Sequence, residues 1–341
     1  MSLLAAHFDV SGVDFLFKKS KKDVELFSFP YVYSKGIFSN QCNEKQFYTY
    51  LVEKVLLDRG VKPNLCSILI SSFFEPLELD IKTKLSVGVS SLIENSNEMT
   101  PVFVNNCAFM TEGIISSQET YWGERRYSEG EAFGEQDDEA NFFCYPQIIP
   151  EDISSQISVD SQICEKIPEK FIFESGRKLV FTGGRFSQKI PYRESDYILI
   201  LEILRGLGIF EVYLDKFNSF ALSKTIQMYD RSLVQDIWKY FEKSGLFIRT
   251  GGACECLLST GLGDDQFIEI EENKIFVLPV KLENPARLSV KSHGLGTIDI
   301  RTMGGEIGLI FDTRVENKSI YSDVKLLNDC MKQFEVILNK K

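Results

Sequence analysis

Residues 178–215, KLVFTGGRFSQKIPYRESDYILILEILRGLGIFEVYLD, restrict the fold more than any other stretch. The apolar run Leu179-Val180-Phe181 stops at Gly183-Gly184. After a polar loop, Glu194–Leu207 places Ile198, Leu201, Leu204 and Leu207 near the 3.6-residue period of a helix. Gly206 and Gly208 stand where that helix would end. Phe210, Val212 and Leu214 then alternate with Glu211 and Tyr213, as a strand requires. Strand, glycine pair, helix, strand is a βαβ unit, which predicts a mostly parallel sheet with helices on its faces. Ligands on such sheets gather beyond the carboxyl ends of the strands. Thr182, Gly183, Gly184 and Arg185 are therefore expected in a ligand-accessible position.

The remainder of the 341 residues is enough for a second lobe. His7–Phe17 reads as two short strands joined by a turn around Ser11-Gly12. A helix over Glu44–Asp58 carries Phe47, Leu51 and Val55 on one line, and strands are expected over Cys66–Phe74, Lys84–Ser90 and Pro101–Asn105. From about Glu112 to Pro168 the composition changes, with GERRYSEGEAFGEQDDEANFF and the polar tract Ser154–Ser161, and neither period is visible. That region is expected to be an irregular insertion, anchored by Trp122, Phe142, Phe143 and Tyr145. Phe220–Ser244 reads as the longest helix, capped by Gly245, and Leu246–Arg249 as a short strand. Gln266–Thr313 alternates as a small antiparallel β unit, and Asp323–Leu338 has the stripe of a docking helix. The expected division is 1–111 and 168–265 as α/β lobes, 112–167 as insertion, 266–315 as β-rich subdomain and 316–341 as C-terminal helix.

Charge and motif content narrow the chemistry. A formal net charge of -11 disfavours nucleic acid and anionic lipid as partners. No run of 18 apolar residues appears, and the N-terminus lacks the basic flank of a signal peptide, so a cytoplasmic protein without membrane insertion is expected. Eight mostly scattered cysteines suit reduced, buried thiols; Cys254 and Cys256 would share one face of a strand. With only His7 and His293, a histidine-based triad or a multi-histidine metal site is excluded, and no G-x-S-x-G elbow, dinucleotide fingerprint or P-loop occurs. The glycine pair at 183–184 lets a backbone approach a ligand, and Arg185 and Lys189 are either phosphate helpers or surface charges. Asp9, Asp14 and Asp215 are the carboxylates at strand ends where a magnesium–phosphate complex could be held. The acidic run Glu135–Glu139 reads as solvated and His293 as a turn residue, while Asp312 and Arg314, on the last strand of the β part, either pair with each other's neighbours or bind a ligand.

The segments LVFTGG (179–184), ILILEILRGLGIFEVYLD (198–215), NSFAL (218–222), ENKIFVLPVKLENPARLSV (272–290) and GGEIGLIFDTR (304–314) together resemble the C-terminal half of the MutL-like proteins associated with glutamate mutase. Those proteins belong to the actin, heat-shock chaperone and sugar-kinase superfamily and are related to cell-division and pilus-assembly actin-like proteins. The resemblance implies a two-lobed, actin-like (RNase H-like) α/β fold, here degenerate, with a β-rich C-terminal subdomain. It places Gly183 and Gly184 at the adenosine end of ATP. The first phosphate motif, D-x-G-x-x-x-T/S, is matched only in degenerate form by Asp9-Val10-Ser11-Gly12, and no D-x-G-G-x-x-T stretch occurs in residues 101–178. Loss of those glycine hairpins weighs against hydrolysis. The expected function is thus a non-catalytic, pseudo-ATPase scaffold or adaptor. It would bind protein partners, or self-associate, in an assembly or secretion complex, and would need no cofactor. The alternative is an ATPase that acts as a chaperone or reactivation factor, with ATP and Mg²⁺ held by Asp9, Gly12, Gly183, Gly184, Arg185 and Asp215.

Overall fold

Strand β1 (Ser2–Asp9) buries Leu4, Ala6 and Phe8 on one side and Leu3, Ala5, His7 and Asp9 on the other. A strand buried on both faces needs a covering layer above and below it. The computed structural model describes residues 2–9, 12–20, 23–30, 44–73, 76–93, 99–105, 108–111, 114–117, 152–165, 167–168, 171–186, 193–233, 240–259, 265–281, 285–315 and 318–339. The anchoring aromatics 122, 142, 143 and 145, the run 135–139 and Lys189 lie outside them. β1 pairs antiparallel with β2 (Gly12–Lys18), and β2 with β3 (Val24–Pro30). Helix α1 (Glu44–Asp58) leads to β4 (Cys66–Ser72), parallel to β1, and then to β5 (Leu85–Gly88), parallel to β4. The order is β3-β2-β1-β4-β5, and a short helix α2 (Val89–Ile93) follows it.

The same order then recurs. β6 (Thr100–Val104) pairs antiparallel with β7 (Ala108–Thr111), and β7 with β8 (Ile114–Ser117). Helix α3 (Ile153–Glu165) precedes β9 (Lys178–Thr182), which is parallel to β6; helix α4 (Arg193–Ile203) precedes β10 (Gly208–Leu214), parallel to β9. β8-β7-β6-β9-β10 thus repeats β3-β2-β1-β4-β5 in order and in relative direction. After helix α5 (Ser219–Tyr229) come β11 (Glu242–Arg249), β12 (Cys254–Ser259), β13 (Gln266–Ile270), β14 (Ile275–Leu278), β15 (Pro285–Ser292), β16 (Gly296–Met303), β17 (Gly308–Asp312) and helix α6 (Val324–Leu338). β11, β17 and β14 extend the second sheet to eight strands, while β13-β12-β15-β16 forms a separate four-stranded sheet. The protein is a mixed α/β fold of several sheets, and no helix among the described residues is long and apolar enough to cross a membrane.

Strand alternation sorts the layers. Tyr48, Leu51, Val52 and Val55 of α1 cover the Leu4–Ala6–Phe8 face of the first sheet. Helices α3, α4 and α6 cover the Val102, Leu179, Phe181, Phe210 and Val212 face of the second. The two remaining faces look toward one another with α5 between them. Leu222 and Ile226 pack on Leu3, Ala5, Leu16 and Leu69, and Phe220 and Ala221 pack with Phe103 and Val180. The first two turns of this insert, Ser219–Ser223 with Thr225 and Ile226, are buried, and only its C-terminal end at Met228 and Tyr229 is exposed.

Several sequence expectations need correction. The helix expected over 220–244 ends at Tyr229, where Asp230 adopts an extended conformation, and Glu242–Arg249 is a strand. The strand expected over Leu246–Arg249 is present, and pairing with β10 on one side and with β17 on the other carries it back to Glu242, so the ladders override the helix expected through Ser244. The tract 154–161 is not irregular but lies within α3. Asp152 accepts from the Ser155 N–H at 2.8 Å to start the helix, and the buried face comprises Gln156, Val159, Asp160, Ile163 and Cys164. Two of those five residues, Gln156 and Asp160, are polar, which hid the period. The strand-like region 266–313 is split: β14 and β17 join the eight-stranded sheet and only β13, β15 and β16 join the small one. Because α5 is the apolar filler of the seam, Leu222→Ala should destabilise the protein by about 2–5 kcal/mol, measured as a shift in the urea midpoint.

Candidate functional site

Period-2 alternation directs a set of polar residues into the seam. Asp9 follows Ala5 and His7 on the inner side of β1, Asp14 precedes Leu16 on β2, Thr182 follows Val180 on β9, and Asn105 ends the run that contains Phe103. Asp215 follows β10. All five side chains are buried. Asp9, Asn105, Thr182 and Asp215 sit at the carboxyl ends of β1, β6, β9 and β10, and Asp14 stands beside them near the start of the antiparallel β2, where the βαβ pattern predicts a ligand.

In this structure the groups there bind one another. Gly183 has φ +104, and a Cβ on it would lie 2.3 Å from the Val104 carbonyl oxygen, so only glycine lets β9 end against β6. The Gly183 N–H donates to Asn218 Oδ1 at 2.8 Å, and the Gly184 N–H to Asp9 Oδ2 at 2.8 Å. Asn105 Nδ2 reaches Asp9 Oδ1 at 3.4 Å. Asn218, in the left-handed conformation at the N-terminus of α5, donates from Nδ2 to Asp14 Oδ2 at 2.7 Å. The Thr182 hydroxyl lies 3.1 Å from Asp215 Oδ2 and 3.0 Å from Asn218 Oδ1, with one proton for the two acceptors. Asp14 also accepts from the Ser28 hydroxyl. The result is a hydrogen-bonded staple joining the first two strands to the ends of β6, β9 and β10.

Asp215 serves the helix start. It accepts from the N–H groups of Phe217 (3.3 Å), Ser219 (2.9 Å) and Phe220 (2.8 Å), and from the Ser219 hydroxyl at 2.5 Å. The positive end of the α5 dipole thereby already holds an anion. Burial still pushes the Asp215 carboxyl above its usual range, against the lowering effect of those donated bonds.

The structure therefore brings Asp9, Gly183, Gly184 and Asp215 together and adds Asp14, Asn105, Thr182 and Asn218. Gly12 is the register partner of Asp9 on β2, and no described hydrogen bond carries it into the staple. Arg185 points the other way. Its Nε and Nη2 grip Asp160 at 2.6 Å each, Nη1 reaches Asp196 at 2.5 Å, and Nη2 also meets Ser195 at 2.8 Å. These bonds fasten α3 and α4 to the end of β9 on the outer layer, and burial lifts Asp196 to about 6 despite the guanidinium. Thr182, Gly183, Gly184 and Arg185 are all buried, whereas the sequence pattern predicts them accessible. The reason is the packing of α5 and α3, which no strand-end rule contains. A second buried arginine, Arg314, binds Asp312 (2.9 and 2.7 Å) and Glu202 (2.6 Å), locking β17 to α4 away from the seam.

His7 lies in the same seam. Its Nδ1 is 3.0 Å from Ser71 Oγ, Nε2 has no partner among the described residues, and burial pushes its pKa down to about 3. Asn105 and Asn218 were missed from sequence. Asn218 carried a weak signal, since asparagine tolerates the left-handed conformation before a helix. Cys254 and Cys256 do share a buried face, with sulfurs 3.9 Å apart, and Lys291 and Glu255 pair on the opposite face. Among the described residues no group of three metal-ligating side chains is placed to hold an ion. No family model matches the chain, and comparison with curated proteins gives no match.

Two measurements check this geometry. Arg185→Met should cost about 3–5 kcal/mol of stability by stranding two buried carboxylates, and Asp160→Leu with Asp196→Asn should recover most of that loss in the same urea titration. For His7, the folded pKa lies below the unfolded value near 6.5, so its neutral form stabilises fully above that pH and the contribution is lost as pH falls toward about 3. Relative to His7→Gln, the wild type should therefore lose about 2 kcal/mol between neutral pH and about pH 5. The difference between the two proteins cancels the other groups that titrate in that window, Asp196 among them.

Proposed function

We propose that this chain is a degenerate actin-like protein: two RNase H-like lobes, one built on β1–β5 and the other on β6–β10, that have kept the architecture of a nucleotide-dependent switch and use it as a non-catalytic scaffold or adaptor. The repeated 3-2-1-4-5 strand order supports the two-lobed reading. What carries the non-catalytic reading is one observation: the backbone N–H groups that could cradle a phosphate are already donated to protein acceptors. Gly183 and Gly184 give theirs to Asn218 and Asp9, and Ser219 and Phe220 give theirs to Asp215. Asp9, Asp14 and Asp215 are buried at the seam, and a polyphosphate entering there would meet three carboxylates, with Arg185 committed elsewhere. On this reading the residues present do not suit a magnesium nucleotide.

The partners on this reading are proteins, bound in a cytoplasmic assembly or secretion complex. An acidic surface of net charge -11 and free, buried thiols at Cys66, Cys164, Cys254, Cys256 and Cys330 suit that setting. The second reading, an Mg–ATP-dependent chaperone or reactivation factor, is favoured by the strand-end placement of Asp9 and Asp215. Calorimetric titration of the full chain with ATP and Mg²⁺ separates the two. The scaffold reading expects no saturable heat and no phosphate release, with Gly184→Asp giving the same trace as wild type. Saturable binding and turnover by the wild type, abolished in Gly184→Asp, would replace it with the ATPase reading.

A further inference from the structure

The four-stranded sheet ends in a long unpartnered edge. β16 spans eight residues, pairs with β15 in unbroken register from Pro285↔Met303 to Ser292↔Gly296, and is paired with no other described strand. Its free side presents a row of backbone N–H and C=O groups. Protein edges are usually blunted by proline, lysine, a bulge or brevity. β16 has none of these, whereas the opposite edge, β13, is five residues long.

Its side chains carry a pattern. Ile298 and Ile300 face the core of the sheet yet are only half-buried, because no described strand lies beyond the edge. Asp299 and Arg301, on the outer face, are exposed and join no ion pair among the described residues. Arg301 stands directly opposite Arg287 of β15, a like-charge pair that disfavours the isolated sheet, and Asp299 stands opposite Ser289. The sequence Thr297-Ile298-Asp299-Ile300-Arg301-Thr302-Met303 is therefore of opposite charge on the two sides of Ile300.

We propose that two copies of this chain join edge to edge through β16, antiparallel about a two-fold axis at Ile300. Asp299 of each copy then lies opposite Arg301 of the other. Such an isologous contact closes after two subunits and makes one continuous sheet of the two four-stranded ones. The added carboxylate neutralises the Arg287–Arg301 pair, and the half-buried isoleucines of the two copies cover each other. Register follows from the same residues. Centring the pair on Asp299 or on Arg301 sets like charges opposite, and an odd register sets the apolar face of one copy on the polar side of the other. Only the Ile300-centred pairing satisfies both charge and face. The contact is separate from the polar staple at the seam and stands whether or not a nucleotide binds there.

Sedimentation equilibrium on the full chain tests it. The wild type should move from one chain mass to two as concentration rises through the micromolar range. Asp299→Arg, which sets arginine opposite arginine twice per dimer, should weaken association by about tenfold or more. The swap D299R/R301D is self-complementary again and should restore the wild-type constant, and a mixture of swapped and wild-type chains should form no mixed dimer. The thermal melt of each variant establishes that it is folded, since both positions are exposed. A chain monomeric at every concentration overturns the proposal. So does a dimer indifferent to Asp299→Arg, or one weakened by it that the swap fails to rescue.

Discussion

Two sheets that each turn an apolar face toward the other cannot meet directly at the strand ends, where the polar side chains are; something apolar must fill the space between. Helix α5 is that filler, and most of the site's character follows from it. Its Leu222 and Ile226 lean on the first sheet and its Phe220 on the second, so its N-terminus is held at the carboxyl ends of β9 and β10. A helix start buried at such a place must have its free N–H groups satisfied. Asp215 satisfies them, Asn218 turns the chain into the helix, and the Asn218 amide then reaches both the glycine turn and Asp14. One packing requirement thus converts the customary ligand end of a parallel sheet into an internal polar joint.

The outer layer is fixed by a different device. Arg185 and Arg314 are buried guanidinium groups, each with paired carboxylates from helices or strands that would otherwise meet only through apolar contacts. Apolar residues of similar volume would hold those elements as firmly, because desolvating the ions offsets much of their attraction. What the fork-shaped cation adds is direction. Arg185 requires Asp160 of α3 and Asp196 of α4 to arrive at set positions beside the end of β9. That geometry holds Gly183 and Gly184 rigidly from behind while Asn218 and Asp9 hold them from the front. A turn gripped on both sides is a poor candidate for the opening and closing that nucleotide turnover demands.

The four-stranded sheet stands apart from both. Its core residues Cys254, Cys256, Leu288 and Val290 pack on Leu246, Ile248, Leu309 and Phe311 of the eight-stranded sheet. One face is therefore spent on the body of the protein, and the outer face and the β16 edge are what the sheet offers to anything else.

Local pattern alone was enough for the β9–α4–β10 unit, for α1 from Glu44 to Asp58, for the opening strand pair and for the α6 stripe. In α1 and β10 the apolar period coincides with the face that packs, whereas β1, β2, β9 and α4 are apolar enough to be buried on every side. The glycine pair was legible for the same reason, since a backbone that must approach Val104 this closely admits no side chain. Where burial is polar, the signal vanished: α3 hides Gln156 and Asp160 inside, and only the presence of Arg185 makes that face coherent. Leu246–Arg249 reads as strand from the sequence, and only the neighbouring strands carry β11 back to Glu242, across the expected helix end at Ser244. The sequence determined which residues stand at the strand ends. Whether those residues await a ligand or bind each other was decided by tertiary structure, because the hydrogen-bond partners of Asp9, Asp14 and Asp215 come from chain positions up to 204 residues away.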